Sequence, residues 1–519
     1  MSSSTLQTGT SRMEMVTQRR DPHTGQAFTC PKTIDPAHAA LVVIDAWAYH
    51  WCITWCGLAG GRLLRLDHAL GAARQLGFTI VHCPTDFIHP YLTKPQRQRM
   101  AALPRMPLPG AAAKAPPFPE GEAGPRSQGC LCSGTHMCIP NYGGGGIDPR
   151  ITIADDDLIC ADGVELFTWC KRHDITHLVY TGFATNICLT GKPEGLLAMV
   201  GAGLDCVFAR DMTEAHGTNT GAASANRYTA ACVAHVEKHV APTIDLVSEL
   251  RRADRWDDAA IVDPLRIVPW GFADRPCCFD RSVNVSMTFP LDARATLHYT
   301  LDRSEPTPQS PRYVEPLVLE DSAVVRAAAF VEGRQRSLPT ECHYLLRSPA
   351  PPLPEVSLSD LAPAKMLMAN WIEWWSDQAK GSDPPPQTNL AYSGAPLTLR
   401  GVRYARGMGV AAPAELIYAV PPECDRFVAQ VGLDEAVLLR DLARGLGAHL
   451  AARFRVFADG HELAASPIMR LGTPPWPFDV TLPLGSRVIS LIVTPAGDSA
   501  LAHHANWVDA GFIRSVAGA

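Results

Sequence analysis

Two residues with acid–base or nucleophilic chemistry stand where an α/β chain would expose them. In YTGFATNICL, residues 180–189, an apolar strand runs into a turn of small residues and leaves Cys188 at a helix start. A thiol there can act as a nucleophile, because backbone N–H groups at a helix N-terminus favour thiolate over thiol. The same donors, around Ala184, Thr185, Asn186 and Ile187, could hold the oxyanion formed when sulfur attacks a carbonyl. Asp45 closes the apolar run LVVID and could take the thiol proton. Taken alone, Asp45 reads as a turn or cap residue and Cys188 as an inert core thiol; their placement at strand ends is what argues otherwise.

The elements that must position this pair alternate between residues 38 and 250. LVVID is a strand, and RLLRLDHALGAARQLG sets Leu63, Leu66, Leu70 and Ala73 on one helical face before Gly77. FTIVHCP, HLVYTG and LDCVFAR read as further strands, with helices in VELFTWCKRH, from Cys188 to about Val200, and in GAASANRYTAACVAHVEK. That rhythm predicts a three-layer α/β/α domain around a parallel sheet. Crossovers of one hand bring all strand carboxyl ends to one edge, so Asp45 and Cys188 should meet there.

The rest of the chain has a different character. Residues 1–37 read as an N-terminal extension and 251–285 as a linker. Short alternating runs over 286–346 predict a small antiparallel sandwich, RSPAPPLPEV marks a Pro-rich linker over 347–359, and the strand-rich 360–519 predicts a second, larger β-sandwich. With 519 residues, 46% of them hydrophobic, the chain can bury several cores. A net charge of -6 supplies no basic field for nucleic acid and no polybasic membrane patch. The polar N-terminus lacks the apolar core of a signal peptide and no later run could span a bilayer, so a cytoplasmic location is expected. The 16 cysteines, several inside apolar segments such as Cys83, Cys206 and Cys232, read as mostly free, buried thiols.

Three resemblances add to this reading. LVVIDAW with Asp45, TGFATNICL with Cys188 and VFARDMTEA with Asp211 resemble the isochorismatase-like cysteine hydrolases, which include nicotinamidases, over about two hundred residues. IDAWAYHWC and PQRQRM resemble a branch of that family fused to sugar-binding-like modules. The resemblance implies hydrolysis of a small amide or related carbonyl substrate: Asp45 takes the thiol proton, Cys188 attacks, and water hydrolyses a thioester, with no cofactor required. It also implies a cis peptide between Ala184 and Thr185. The family's usual lysine is missing, for ITIADDDLICAD holds Asp155, Asp156 and Asp157 instead; Lys192 and Lys94 are candidate substitutes, against the plainer reading of surface lysines. Asp86 and His89 resemble part of a nicotinamidase metal cluster, with hydrogen-bonded loop groups as the plainer reading. Trp47 and His50 could line the pocket mouth. Cys130, Cys132, His136 and Cys138 are four candidate zinc ligands in nine residues, spaced more tightly than usual zinc knuckles, against the plainer reading of free or oxidised loop thiols.

YTLDRSEPTPQSPRY at 299–313 is similar to the small sandwich that ends chitobiase-type glycosidases, related to fibronectin type III modules, and implies a spacer or docking unit. GMGVAAPAELIYAVP, FVAQVGLD, FRVFADGHELAASPIMR, PPWPFDVTLP and HANWVDAGF resemble the NPCBM module, a sandwich of the galactose-binding-like class to which carbohydrate binding is ascribed. Trp476, His503, His504, Asn506, Trp507 and Asp509 could make a ligand site there, with Trp476 and Trp507 expected rather in the core. The implied partners are an amide-type substrate and a carbohydrate. Self-association stays open, as does a second class of reading: a hydrolase domain without activity in a glycan- or partner-binding protein.

Overall fold

In the computed structural model the described residues are 12–515 apart from 51, 85–87, 122–143, 218–220, 261, 274–275, 369–385, 435–449, 471–472 and 497–502. The first body is an eight-stranded sheet. Its strands are β1 (Met13–Arg20), β2 (Ala27–Ile34), β3 (Ala39–Ile44), β5 (Thr79–Cys83), β7 (Leu158–Ile159), β8 (His177–Phe183), β9 (Asp205–Glu214) and β10 (Thr243–Ile244), in the order β2-β1-β10-β9-β8-β3-β5-β7. A separate pair, β4 (Trp47–His50) and β6 (Gly144–Ile147), is antiparallel. From β10 to β7 all neighbours run parallel.

The all-buried AALVVI of β3 is what a central parallel strand requires, apolar on both faces. Leu41 and Val43 pack into one core and Val42 and Ile44 into another. Helices α2 (Leu63–Leu76) and α8 (Leu246–Arg252) cover the first face; α4 (Gly163–Arg172) and α6 (Leu196–Gly201) cover the second. Leu63, Leu66, Leu70 and Ala73 are all buried, and Gly77 ends α2 at φ 96, where the Gly77 and Phe78 N–H groups close onto Arg74 and Ala73 carbonyls. Asp162 caps α4 by accepting the Glu165 N–H.

Three sequence boundaries shift. Within the expected N-terminal extension, β1 and β2 form a hairpin whose β1 edge joins β10, because Met13, Met15 and Thr17 alternate inward along the strand. Within the expected 251–285 linker, β11 (Arg266–Val268) pairs with β13 (Val283–Thr288), and β12 (Cys277–Phe279) pairs in parallel with β18 (Thr340–Leu346). Within the Pro-rich linker, Val356 and Ser357 already pair with the last strand.

The small sandwich is therefore two sheets, β11-β13-β15 and β12-β18-β16-β14, where β14 is Thr296–Thr300, β15 Leu317–Leu319 and β16 Ala323–Val331. Its inward residues Val283, Val285 and Met287 share one continuous core with α1 (Ile53–Gly60) and α2 of the α/β body. The C-terminal body is a sandwich of two six-stranded sheets around a core of its own, with Trp507 fully buried between Phe454 and Phe478. Among the described residues no helix is long and apolar enough to cross a membrane.

Candidate functional site

Asp45 sits at the carboxyl end of β3, beside the end of β8, since Ile44 pairs with Gly182. The Asp45 N–H extends the ladder to the Cys83 carbonyl at 3.1 Å, and its φ of 48 swings the fully buried side chain off the strand path, a backbone setting aspartate tolerates better than most residues. Gly182 approaches so closely that a Cβ would lie 1.9 Å from the Ile44 carbonyl oxygen. Only glycine lets these two strand ends touch.

The cysteine helix is shorter than its sequence suggests. It divides into α5 (Cys188–Gly191) and α6, because Pro193 forces Lys192 into an extended conformation at ψ 162. The bend between them is pinned: the Tyr180 hydroxyl donates to the Glu194 carbonyl at 2.9 Å, the Gly195 N–H to the Lys192 carbonyl, and Gly163 leaves room where a Cβ would lie 1.9 Å from the Pro193 oxygen. This turn directs Lys192 back onto Asp45. Its Nζ donates to Oδ1 at 3.2 Å and lies 3.1 Å from Oδ2, with the lysine side chain 14% exposed. Burial pushes the ammonium down to about 8, against the pull of Glu194.

The turn leading to Cys188 is held by β9. A register irregularity between Tyr180 and Gly182 brings Thr213 opposite Gly182 and Glu214 opposite Phe183. The Thr185 N–H donates to the Glu214 carbonyl at 3.0 Å, the Thr185 and Thr213 hydroxyls bond at 2.8 Å, and the Thr213 hydroxyl donates to the Gly182 carbonyl at 2.7 Å. Asn186 bonds to both backbone groups of His216 and donates to the Tyr228 hydroxyl. The Ile187 N–H is taken by the Ala184 carbonyl. Two of the expected oxyanion donors, Thr185 and Ile187, are thus committed to the fold. The cis peptide joins Phe183 to Ala184, one bond earlier than expected.

Around this edge, Trp47 stacks on His50 with ring centroids 4.8 Å apart, and His50 packs against Trp55 and, edge-on, His216. Nδ1 of the buried His50 accepts the Cys52 N–H. Asp86 and the cluster Cys130, Cys132, His136 and Cys138 lie outside the described residues, as does the side chain of His89. Lys94 stands at the N-cap position of α3 (Pro95–Ala101), without a side-chain cap bond. Asp211 accepts the Leu246 and Val247 N–H groups at the start of α8 and is a structural cap. Of the three aspartates at 155–157, Asp157 is tied to His82 and Arg74; burial pushes its carboxyl up, but the hydrogen bonds with these two side chains outweigh it and hold it at about 2. Thr213 and Glu214 escaped the sequence reading, although they follow Asp211 by two and three residues in VFARDMTEA.

A second polar cluster lies at one end of the C-terminal sandwich, where Ala412 pairs with His503 and Leu433 with Ala505. Tyr392 packs edge-on against His504 at 5.0 Å, Asn506 donates to the fully buried Asp434 at 3.3 Å, and His503 accepts the Ala451 N–H. Trp476 is half-buried against the core, whereas Trp507 lies inside it; Asp509 sits further along the strand at φ 46.

Residues 367–513 match the family model of the NPCBM/NEW2 domain, and residues 279–341 that of the chitobiase/beta-hexosaminidase C-terminal domain. The chain carries both domains. A protein of Renibacterium salmoninarum named "Putative endo-alpha-N-acetylgalactosaminidase" is 29% identical over 168 residues, 32% of this chain. The chain spans about a tenth (10%) of that relative's length. Among solved structures, a CBM51 module from Clostridium perfringens GH95 in complex with methyl-galactose is 23% identical, covering 30% of this chain and 99% of its own at a TM-score of 0.25. A cysteine hydrolase from Pseudomonas syringae pv. phaseolicola is 13% identical, covering 46% and 98% at 0.27. An isochorismatase family protein from Desulfovibrio vulgaris is 14% identical, covering 42% and 99% at 0.25.

Proposed function

We propose that this protein binds carbohydrate through its C-terminal sandwich. The NPCBM match over residues 367–513 carries this reading, and the polar end of that sandwich gathers fitting groups: half-buried His504 packed on the buried Tyr392 ring, beside the buried Asp434 and Asn506 pair. Aromatic faces and amide or carboxylate groups suit a sugar, which offers apolar C–H patches and hydroxyls together. The Renibacterium salmoninarum relative makes N-acetylgalactosamine-bearing glycans the first to test. On a glycan array followed by calorimetry, the full chain should bind, and His504→Ala should weaken binding at least about tenfold, about 1.4 kcal/mol, with unchanged melting. No binding to any glycan of the array would sink this reading.

A second reading has its own observation, the contact of Lys192 with Asp45. In this reading the α/β body is a cysteine hydrolase of small amide-type substrates. Asp45 accepts the Cys188 proton, sulfur adds to the carbonyl carbon, and the amine leaves with that proton; water then cleaves the thioester and regenerates the thiol. Lys192, arriving from the turn after Cys188, takes the place of the lysine that ITIADDDLICAD lacks, keeping a cation beside the carboxylate. α5 is a single turn, so this cation matters more to the thiolate than the helix terminus does. Cys188→Ala should abolish turnover of any amide the protein hydrolyses while leaving glycan binding intact. Equal turnover in that variant would exclude Cys188 as the nucleophile.

A further inference from the structure

A buried charge cluster joins the small sandwich to the α/β body directly behind the nucleophile turn. Glu214 ends β9 with its side chain fully buried. Arg266, the first residue of β11 in the sandwich, grips it with both arms: Nη1 donates to Oε2 at 2.8 Å and Nη2 to Oε1 at 2.6 Å. The Thr229 hydroxyl adds a bond to Oε1 at 2.9 Å, and Arg62 Nε stands 3.5 Å from Oε2 without a hydrogen bond. The backbone of the same glutamate accepts the Thr185 N–H, and its neighbour Thr213 ties the Thr185 hydroxyl to the Gly182 carbonyl. Two further bonds leave this segment, from the Trp55 ring N–H to the Ala215 carbonyl and from the Ala222 N–H to Ser286 of the sandwich. One residue therefore meets the other domain with its side chain and the nucleophile turn with its main chain.

We propose that Arg266 is a positioning residue for that turn: by pinning Glu214 it fixes where the end of β9 stands, and through it where Thr185 and Cys188 stand. The proposal rests on Cys188 being a nucleophile, the second reading above. It makes the small sandwich part of the α/β site, supplied in cis, rather than a spacer. The physical reason is the cost of a buried carboxylate that loses its bidentate partner. Arg62, in ion-pair range without a hydrogen bond, and the Thr229 hydroxyl satisfy it only in part, so the strand end shifts to find water or a new donor.

The test uses the full chain. Hydrogen exchange over residues 183–189 reads the Thr185 N–H bond, and iodoacetamide labelling of Cys188, followed by mass spectrometry, reads the thiol. Arg266→Met should raise exchange at Thr185 at least about tenfold and slow Cys188 labelling several-fold, with exchange in α4 unchanged. Arg266→Lys, which keeps the charge but loses the fork, should fall between. Glu214→Gln with Arg266→Met, which removes the stranded charge, should return exchange to within about threefold of the parent, and it covers the case that Arg266→Met does not fold. Parent-like exchange and labelling in Arg266→Met would overturn the proposal. If parental Cys188 reacts no faster than the exposed thiol of Cys30 while the exchange results hold, the nucleophile reading fails and the positioning role stands.

Discussion

Lys192 gives the candidate site a pH signature. Its ammonium titrates at about 8 instead of the ordinary 10.5, so the Lys192–Asp45 pair is intact below about 8 and dissolves above it. Amide turnover should therefore decline as pH rises through about 8. Lys192→Met should lower turnover at neutral pH at least about tenfold and lack that alkaline limb, as a pH series on both proteins would reveal. A limb that persists in Lys192→Met belongs to another group. Stability runs the opposite way. Between about 8 and 10.5 the unfolded chain holds a proton on this lysine that the folded chain has released, so unfolding free energy gains from this residue as pH rises across that window. That Asp45 and Cys188 follow neighbouring parallel strands was legible in the sequence, because strand direction alone sends both to one edge. The partner of Asp45 was only a candidate, since a lysine four residues after the cysteine points at nothing until the bend is known.

At the scale of elements, that bend was the part left unread. Apolar spacing after Cys188 suggests a helix to about Val200, but Pro193 forbids the extended residue before it from continuing a helix, and α5 stops after four residues. Lys-Pro within the apolar pattern was the available signal. The break relies on Gly163, whose missing Cβ admits the Pro193 carbonyl. Gly163→Ala should destabilise the protein by about 1–3 kcal/mol, from the backbone shift that relieves the overlap. It should also abolish the alkaline limb assigned to Lys192, because the bend that aims the lysine has moved. Chemical denaturation and the same pH series check the two effects. An unchanged pH profile in a destabilised protein would separate the bend from the lysine.

The whole molecule is more continuous than its sequence boundaries. Composition marks the change to β-rich character, and the family matches fall over the two β-rich regions, but paired strands begin inside both expected linkers. It divides poorly where polar segments are drafted into a neighbour. The pairing of Arg266 with Glu214, 52 residues apart, has no periodicity to betray it. The alternation of MEMVTQRR is visible in retrospect, but its inward face is two methionines and a threonine rather than the Val and Ile of a typical strand. That hairpin matters for how the molecule behaves at high concentration. An open parallel sheet ends in a row of unsatisfied backbone groups that can recruit a strand from another molecule. At one edge of this sheet the outermost strand is β2, with Pro31 lacking an N–H in its middle and Lys32 engaged with Asp205. The first twenty or so described residues therefore act as a built-in guard against edge-to-edge aggregation.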